Sequence, residues 1–78
     1  MINETELATC VRRAMDKYFK DLDGEEPTAI YNMVLHCIEK PLLEFVLQHA
    51  AGNQTLAADM LGLNRNTLRK KMKLHKIK

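Results

Sequence analysis

The sequence predicts an all-α fold of four helices, the last two forming a helix-turn-helix. Three observations carry this expectation. Apolar residues recur at three- and four-residue steps, and strand-like alternation is absent. Ala, Leu, Met, Glu and Lys, all good helix formers, are abundant, while aromatics make up 5% of the chain. The three glycines and Pro27 stand where helices would begin, end or turn.

The first helix is expected over about residues 7–22. Leu7, Val11, Met15, Tyr18 and Leu22 fall on one face, with Arg12, Arg13, Asp16, Lys17 and Lys20 on the wet side. Thr5 is placed to cap its start and Gly24 to stop it. The second helix follows Pro27, with Thr28 as its expected cap, and runs to about Ala50, where Gly52 terminates it. Its polar residues, Asn32, His36, Glu39, Lys40, Glu44 and Gln48, form one narrow stripe, and nearly everything else is apolar. A helix apolar around most of its circumference is buried on several sides. At 1.5 Å per residue it extends ~34 Å, more than one long and two short helices can cover, whereas a second copy of the same helix could cover it. Pro41 lies inside it, but the apolar stripe keeps phase across the proline, which predicts a kink and not a break.

The totals point the same way. A chain of 78 residues is one small domain, and small domains need reinforcement by disulfide, metal or partner. Cys10 and Cys37 are too few for a disulfide framework and lack zinc-site spacing, so they read as buried, reduced thiols. Oligomerisation is the reinforcement left. No stretch is long and apolar enough to span a bilayer, and the acidic start is wrong for a signal peptide, so a cytoplasmic protein without a membrane role is expected. Charge divides sharply. Residues 1–59 carry ten acids against five bases, and residues 60–78 carry seven bases and no acid. Such asymmetry suggests that the C-terminal end meets a polyanion.

Residues 52–74 supply the hairpin. Asn53 caps a third helix of about eight residues ending at Leu61, Gly62 makes the turn, and Asn64 caps a fourth helix to about Leu74. Ala58 is small where the helices cross, Gly62 permits the positive φ of a tight turn, and Leu61, Leu63 and Leu68 form the apolar wedge between them. The exposed start of the last helix then offers Asn64, Arg65, Asn66 and Thr67 to base edges or phosphates. Arg69, Lys70 and Lys73 lie further along, where they can neutralise backbone charge. Double-stranded DNA is therefore the expected partner. Residues 1–50 are read as dimerisation helices and 51–78 as the helix-turn-helix unit, within one structural domain.

The run Gly-Asn-Gln-Thr-x-Ala-Ala-x-x-Leu-Gly-Leu-Asn-Arg-x-Thr-Leu-Arg-Lys-Lys, residues 52–71, resembles the Fis family, the factors for inversion stimulation of bacteria. Upstream, Tyr18-Phe19, Leu22-x-Gly24, Tyr31-x-x-Val34-Leu35 and Pro41-Leu42-Leu43 are similar too, so the likeness spans about residues 7–78. The resemblance implies a protomer whose two long N-terminal helices intertwine with those of a second copy, with Val34, Ile38, Leu42, Leu43 and Val46 in the dimer core. It implies a nucleoid-associated transcriptional regulator that binds degenerate sites and bends them. The family's recognition helices sit closer together than one DNA turn, which makes deformability part of specificity. Carried over residue by residue, Arg65 resembles the guanine-reading arginine and Asn64 its base-contacting neighbour. Asn53, Thr55, Thr67, Arg69, Lys70 and Lys71 match phosphate-contacting or nearby positions, and Lys73 joins them as a further base on the same helix. Leu56 and Asn66 depart from the family's usual arginine and glycine. Only six residues precede Leu7, too few for the arm with which the family activates DNA invertases, so no stimulation of inversion is expected.

Other readings are a protein-docking module and a detached C-terminal domain of an enhancer-binding activator, since the NtrC-type activators end in a similar hairpin. No catalytic residues, cofactor, metal or small-molecule substrate are expected. His36, His49 and His75 lack a nucleophile or acid partner at recognisable spacing; the first two read as helix-surface residues and His75 as part of the basic tail.

Overall fold

A computed structural model describes residues 4–77 and forms them into four helices: α1 (Glu4–Leu22), α2 (Ile30–His49), α3 (Gln54–Leu61) and α4 (Arg65–Leu74). No strand occurs among the described residues. Of the six residues preceding Leu7, on which the expectation about inversion rests, the first three lie outside them.

The N-terminal caps differ from expectation. Helix α1 already includes Glu4, so Thr5 is a helical residue and not the cap, and its carbonyl accepts a bond from Thr9 Oγ1 at 2.8 Å. Thr28 does not cap α2 either. The cap position is Ala29, in the left-handed region at φ 52°, and no side chain bonds the first turn. A capping hydroxyl must stand immediately before the first helical residue to reach the amides two and three positions on; Thr28 is one residue too early. Helix α1 ends at Leu22, with Gly24 two residues later at φ 90°, as expected. Helix α2 runs without a break through Pro41.

Helix α2 closes on Ala50, and Gly52, at φ 81°, returns its N–H to the carbonyl of Leu47 at 3.0 Å. That turn brings α3 back against the C-terminal half of α2. The core gathers there: Leu43, Leu47 and Ala50 from the end of α2, Ala57 and Ala58 from α3, Leu68 and Met72 from α4. Val46, Leu61 and Ile77 pack against it. Among the described side chains of α1 none is buried.

Much of the remaining apolar sequence is left open. Leu7, Val11 and Phe19 of α1 are exposed, as are Tyr31, Leu35, Ile38, Leu42 and Phe45 of α2, the tyrosine by 76% and the phenylalanine by 64%. The radius of gyration is 15.0 Å, against about 11.5 Å from the size scaling of compact domains. A single copy is therefore drawn out over 44 × 27 × 17 Å, with a packed C-terminal end and an N-terminal half in which many apolar side chains stay exposed. Burying such surface is the dominant favourable term in association.

The expected dimer-core set divides on this structure. Ile38 and Leu42 are exposed by 45% and 46%, and Val34 is half-buried. Leu43, at 1% exposure, belongs to the protomer's own core, and Val46 packs beside it. Consecutive helical residues point about 100° apart, so Leu42 and Leu43 serve different faces, and Leu43 has no surface to offer a second copy. The cysteines are also corrected. Cys10 and Cys37 are exposed free thiols, not buried ones, because the helix faces carrying them are not covered within the protomer.

Candidate nucleic-acid interface

Helix α3 begins on Asn53, whose side-chain oxygen accepts the N–H of Leu56 at 3.1 Å. It ends on Gly62 in the left-handed conformation, φ 74°, and the N–H of Leu63 then returns to the carbonyl of Ala58 at 2.9 Å. A Cβ added at Gly62 would meet nothing within 4 Å. The glycine is there for its backbone angle, not for space. Asn64 caps α4, its Oδ1 accepting the N–H of Asn66 at 2.8 Å. Ala57 and Ala58, at 0% and 2% exposure, allow the helices their close approach.

Helix α4 is seated by Leu68 and Met72, one turn apart and both buried. Its outer side then carries Arg65, Asn66, Thr67, Arg69, Lys70 and Lys73, all exposed, with no acid in the helix. Asn64 and Arg65 stand at its exposed N-terminal end. Arg69, Lys70 and Lys73 meet in one open groove of about 490 Å³, whose walls also include Gln54, Asn66, Met72 and Ile77. Gln54 is the first residue of α3, so the partial positive charge of that helix's N-terminus adds to the three cations. Anionic oxygen is the chemistry such a groove selects. Asn53 and Thr55 are exposed beside it, at the start of α3, without lining it.

Lys71 stands apart from the other bases. It is half-buried, and its Nζ donates to Glu39 Oε2 of α2 at 2.9 Å. His75 meets the other oxygen of the same carboxylate, Nε2 to Oε1 at 2.9 Å. The histidine is 3% exposed, so it is a buried interhelical residue and not part of a solvated basic tail. The backbone brings it inward: after His75 the chain turns at Lys76, φ 57°, and Ile77 N bonds Met72 O at 2.8 Å. Its ring lies 4.4 Å from that of His36. Hydrogen bonds from Lys71 and then His75 hold the Glu39 carboxyl below its ordinary value of 4.5.

Sequence reasoning did not single out Gln54 for the groove or join Glu39 to Lys71 and His75. Gln54 was findable, because it directly follows a cap asparagine and opens a helix beside the basic run. The Glu39 network was not: its members are 32 and 36 residues apart, and no periodicity links them.

A pH dependence follows. A carboxyl with a lowered folded-state pKa contributes stability that is fully present above its unfolded value, here about 4.5, and is lost as pH falls through the lowered one. Glu39→Gln should remove that part of the acid sensitivity. The check is the unfolding midpoint of both proteins from pH 7 to 3; parallel curves would show that Glu39 contributes nothing to the slope.

Among the described residues no group of His, Cys, Asp and Glu is arranged to hold a metal ion, and no helix is long and apolar enough to cross a membrane. The model of the family described as bacterial regulatory protein, Fis family, matches residues 35–74. The chain is 59% identical over 66 residues to a protein of Ralstonia nicotianae described as a Fis-like DNA-binding protein, covering 85% of this chain and 86% of that one. It is 54% identical over 70 residues to a protein of the same description from Neisseria meningitidis serogroup A, covering 90% and 89%. Against the DNA-binding protein Fis of Glaesserella parasuis the identity is 56% over 63 residues, or 81% of this chain and 64% of that protein.

Proposed function

The chain belongs to the Fis family of bacterial regulatory proteins, and on that premise we propose that it binds and bends duplex DNA as a homodimer, with α4 of each copy in the major groove. The observation that carries the reading is the division of α4: an apolar side seated on Leu68 and Met72, and an acid-free side that leaves Arg65, Arg69, Lys70 and Lys73 exposed. The names of the relatives, which describe DNA-binding proteins, support it. The protein is a regulator, not an enzyme, and acts in the cytoplasm on the nucleoid.

The interface works in two parts. Arg69, Lys70 and Lys73, with Gln54 beside them, hold phosphate oxygens in the groove, while Asn53, Thr55 and Thr67 bind further along the backbone. Arg65 reads a base edge, its guanidinium fork matching guanine O6 and N7. Asn64 has a narrower part. Its Oδ1 already serves as the helix cap, so it offers a base the Nδ2 hydrogens and not the two-point contact that adenine takes from a free asparagine. The exposed apolar face of α1 and α2 is covered by the second copy. The two recognition helices then stand close together, and the duplex bends to meet both.

Selection of bound sequences from random duplexes, followed by titration at several salt concentrations, tests the reading. Tight binding that weakens steeply with salt is expected, and a chain that shows no salt-dependent duplex binding would overturn it. On the selected site, Arg65→Ala should lose about 1–3 kcal/mol of discrimination against a scrambled duplex while keeping most of its affinity for the scrambled one. Equal losses on both duplexes would place Arg65 on phosphate alone.

A further inference from the structure

The apolar core packs α4 on Ala57 and Ala58 of α3 and reaches α2 only at its C-terminal half, at Leu43, Leu47 and Ala50. Apolar burial is non-directional, so a polar bond between α2 and α4 adds an orientation that this burial does not supply. Glu39 lies one helical turn earlier on α2, ahead of Pro41, and both of its carboxylate oxygens are taken by residues one turn apart near the end of α4: Lys71 Nζ at 2.9 Å and His75 Nε2 at 2.9 Å. Charge-assisted bonds of this length are strong and directional.

Both donors are committed. The His75 side chain is fully buried, its Nε2 meets a carboxylate, which only accepts, and among the described residues its Nδ1 has no hydrogen-bond partner. The Lys71 side chain is 33% exposed and turned to α2, whereas Arg69, Lys70 and Lys73 line the groove. Helix α2 also carries the exposed face, with Ile38 and Leu42, that a second copy is proposed to cover. Whatever fixes α4 against α2 therefore fixes the distance between the two α4 helices of a dimer.

We propose that Glu39 is a positioning residue for DNA recognition: by clamping Lys71 and His75 it sets the tilt of α4 on α2, and through that tilt the separation of half-sites the dimer accepts. Lys71 then serves the protein and not the phosphate backbone. This role for Glu39 rests on the reading of the chain as a DNA-binding dimer.

The test uses the full chain and duplexes bearing two copies of the selected half-site, their separation varied one base pair at a time. The wild type should show one preferred separation. Glu39→Gln and Lys71→Met should flatten that preference and weaken binding to the best duplex about tenfold, and Lys71→Arg, which keeps charge and donors, should restore it. Lys71→Met should leave the dependence of log affinity on log salt unchanged, while Lys70→Met reduces its slope by about 0.9 for each phosphate it no longer neutralises. A stabilising but non-positioning pair would leave the spacing preference intact in variants that remain folded. Wild-type spacing preference in both folded variants would overturn the proposal, as would a slope reduced by Lys71→Met as much as by Lys70→Met. A wild type that binds no duplex would instead overturn the DNA reading, and the role of the clamp with it, before any variant is compared.

Discussion

Leu68→Ala should cost about 2–5 kcal/mol, the range for truncating a large side chain in a packed core. The effect is large because of where Leu68 sits. It is 0% exposed, it lies on α4, and with Met72 it seats that helix on Ala57, Ala58, Leu43 and Leu47. The surrounding cluster is small, so few neighbours can relax into the space. Net stabilities of 5–15 kcal/mol leave little margin after such a loss. Urea unfolding of the two proteins gives the size of the change. The DNA readout differs in kind from that of Arg65→Ala, because a helix without its seat presents neither base-reading nor phosphate-binding groups in place. Specific and scrambled duplexes should therefore lose affinity together. A cost below about 1 kcal/mol would mean that α4 is held by something other than this core.

The C-terminal hairpin was legible nearly to the residue, and the reason is local. Asn53, Gly62 and Asn64 act on backbone groups within a few positions of themselves, so their side chains and backbone angles declare the ends of α3 and α4 in the sequence. The start of α2 was not legible, because the residue that performs the turn is an alanine in the left-handed region, and alanine carries no signal for that conformation. His75 was misjudged for a different reason. Among Lys73, Lys76 and Lys78 it looks like one more solvated tail residue, and only the fold brings it to Glu39. Long-range polar pairs have no period, and a single sequence does not reveal them.

Helix α2 shows a third limit. Its apolar residues predict burial over most of its circumference, but not by what. Leu42 and Leu43 are adjacent leucines with the same propensity and hydrophobicity, yet one is 46% exposed in the protomer and the other 1%. Packing within the chain covers Leu43, and Leu42 lies on the face that the proposed second copy would cover.

That division makes substitutions at the two leucines act differently. Leu42→Glu places a charge on a face the protomer leaves open. In a monomer it would be a surface substitution, worth no more than about 0.5 kcal/mol either way. In the proposed dimer it buries an unpaired charge, at a cost comparable to the whole marginal stability. The same holds for Ile38→Glu, also exposed in the single copy. Leu43→Ala, by contrast, opens a cavity in the protomer's own core and should destabilise the chain whether or not a second copy binds. Sedimentation at micromolar concentration should find a wild-type dimer whose unfolding midpoint rises with concentration, as association linked to folding requires. Leu42→Glu should sediment as a monomer or unfold, and it should lose the steep salt-dependent duplex binding, since one copy engages half the phosphates. A wild type that sediments as a folded monomer, together with a Leu42→Glu variant of equal stability, would show that the open apolar face of α1 and α2 has no second copy upon it.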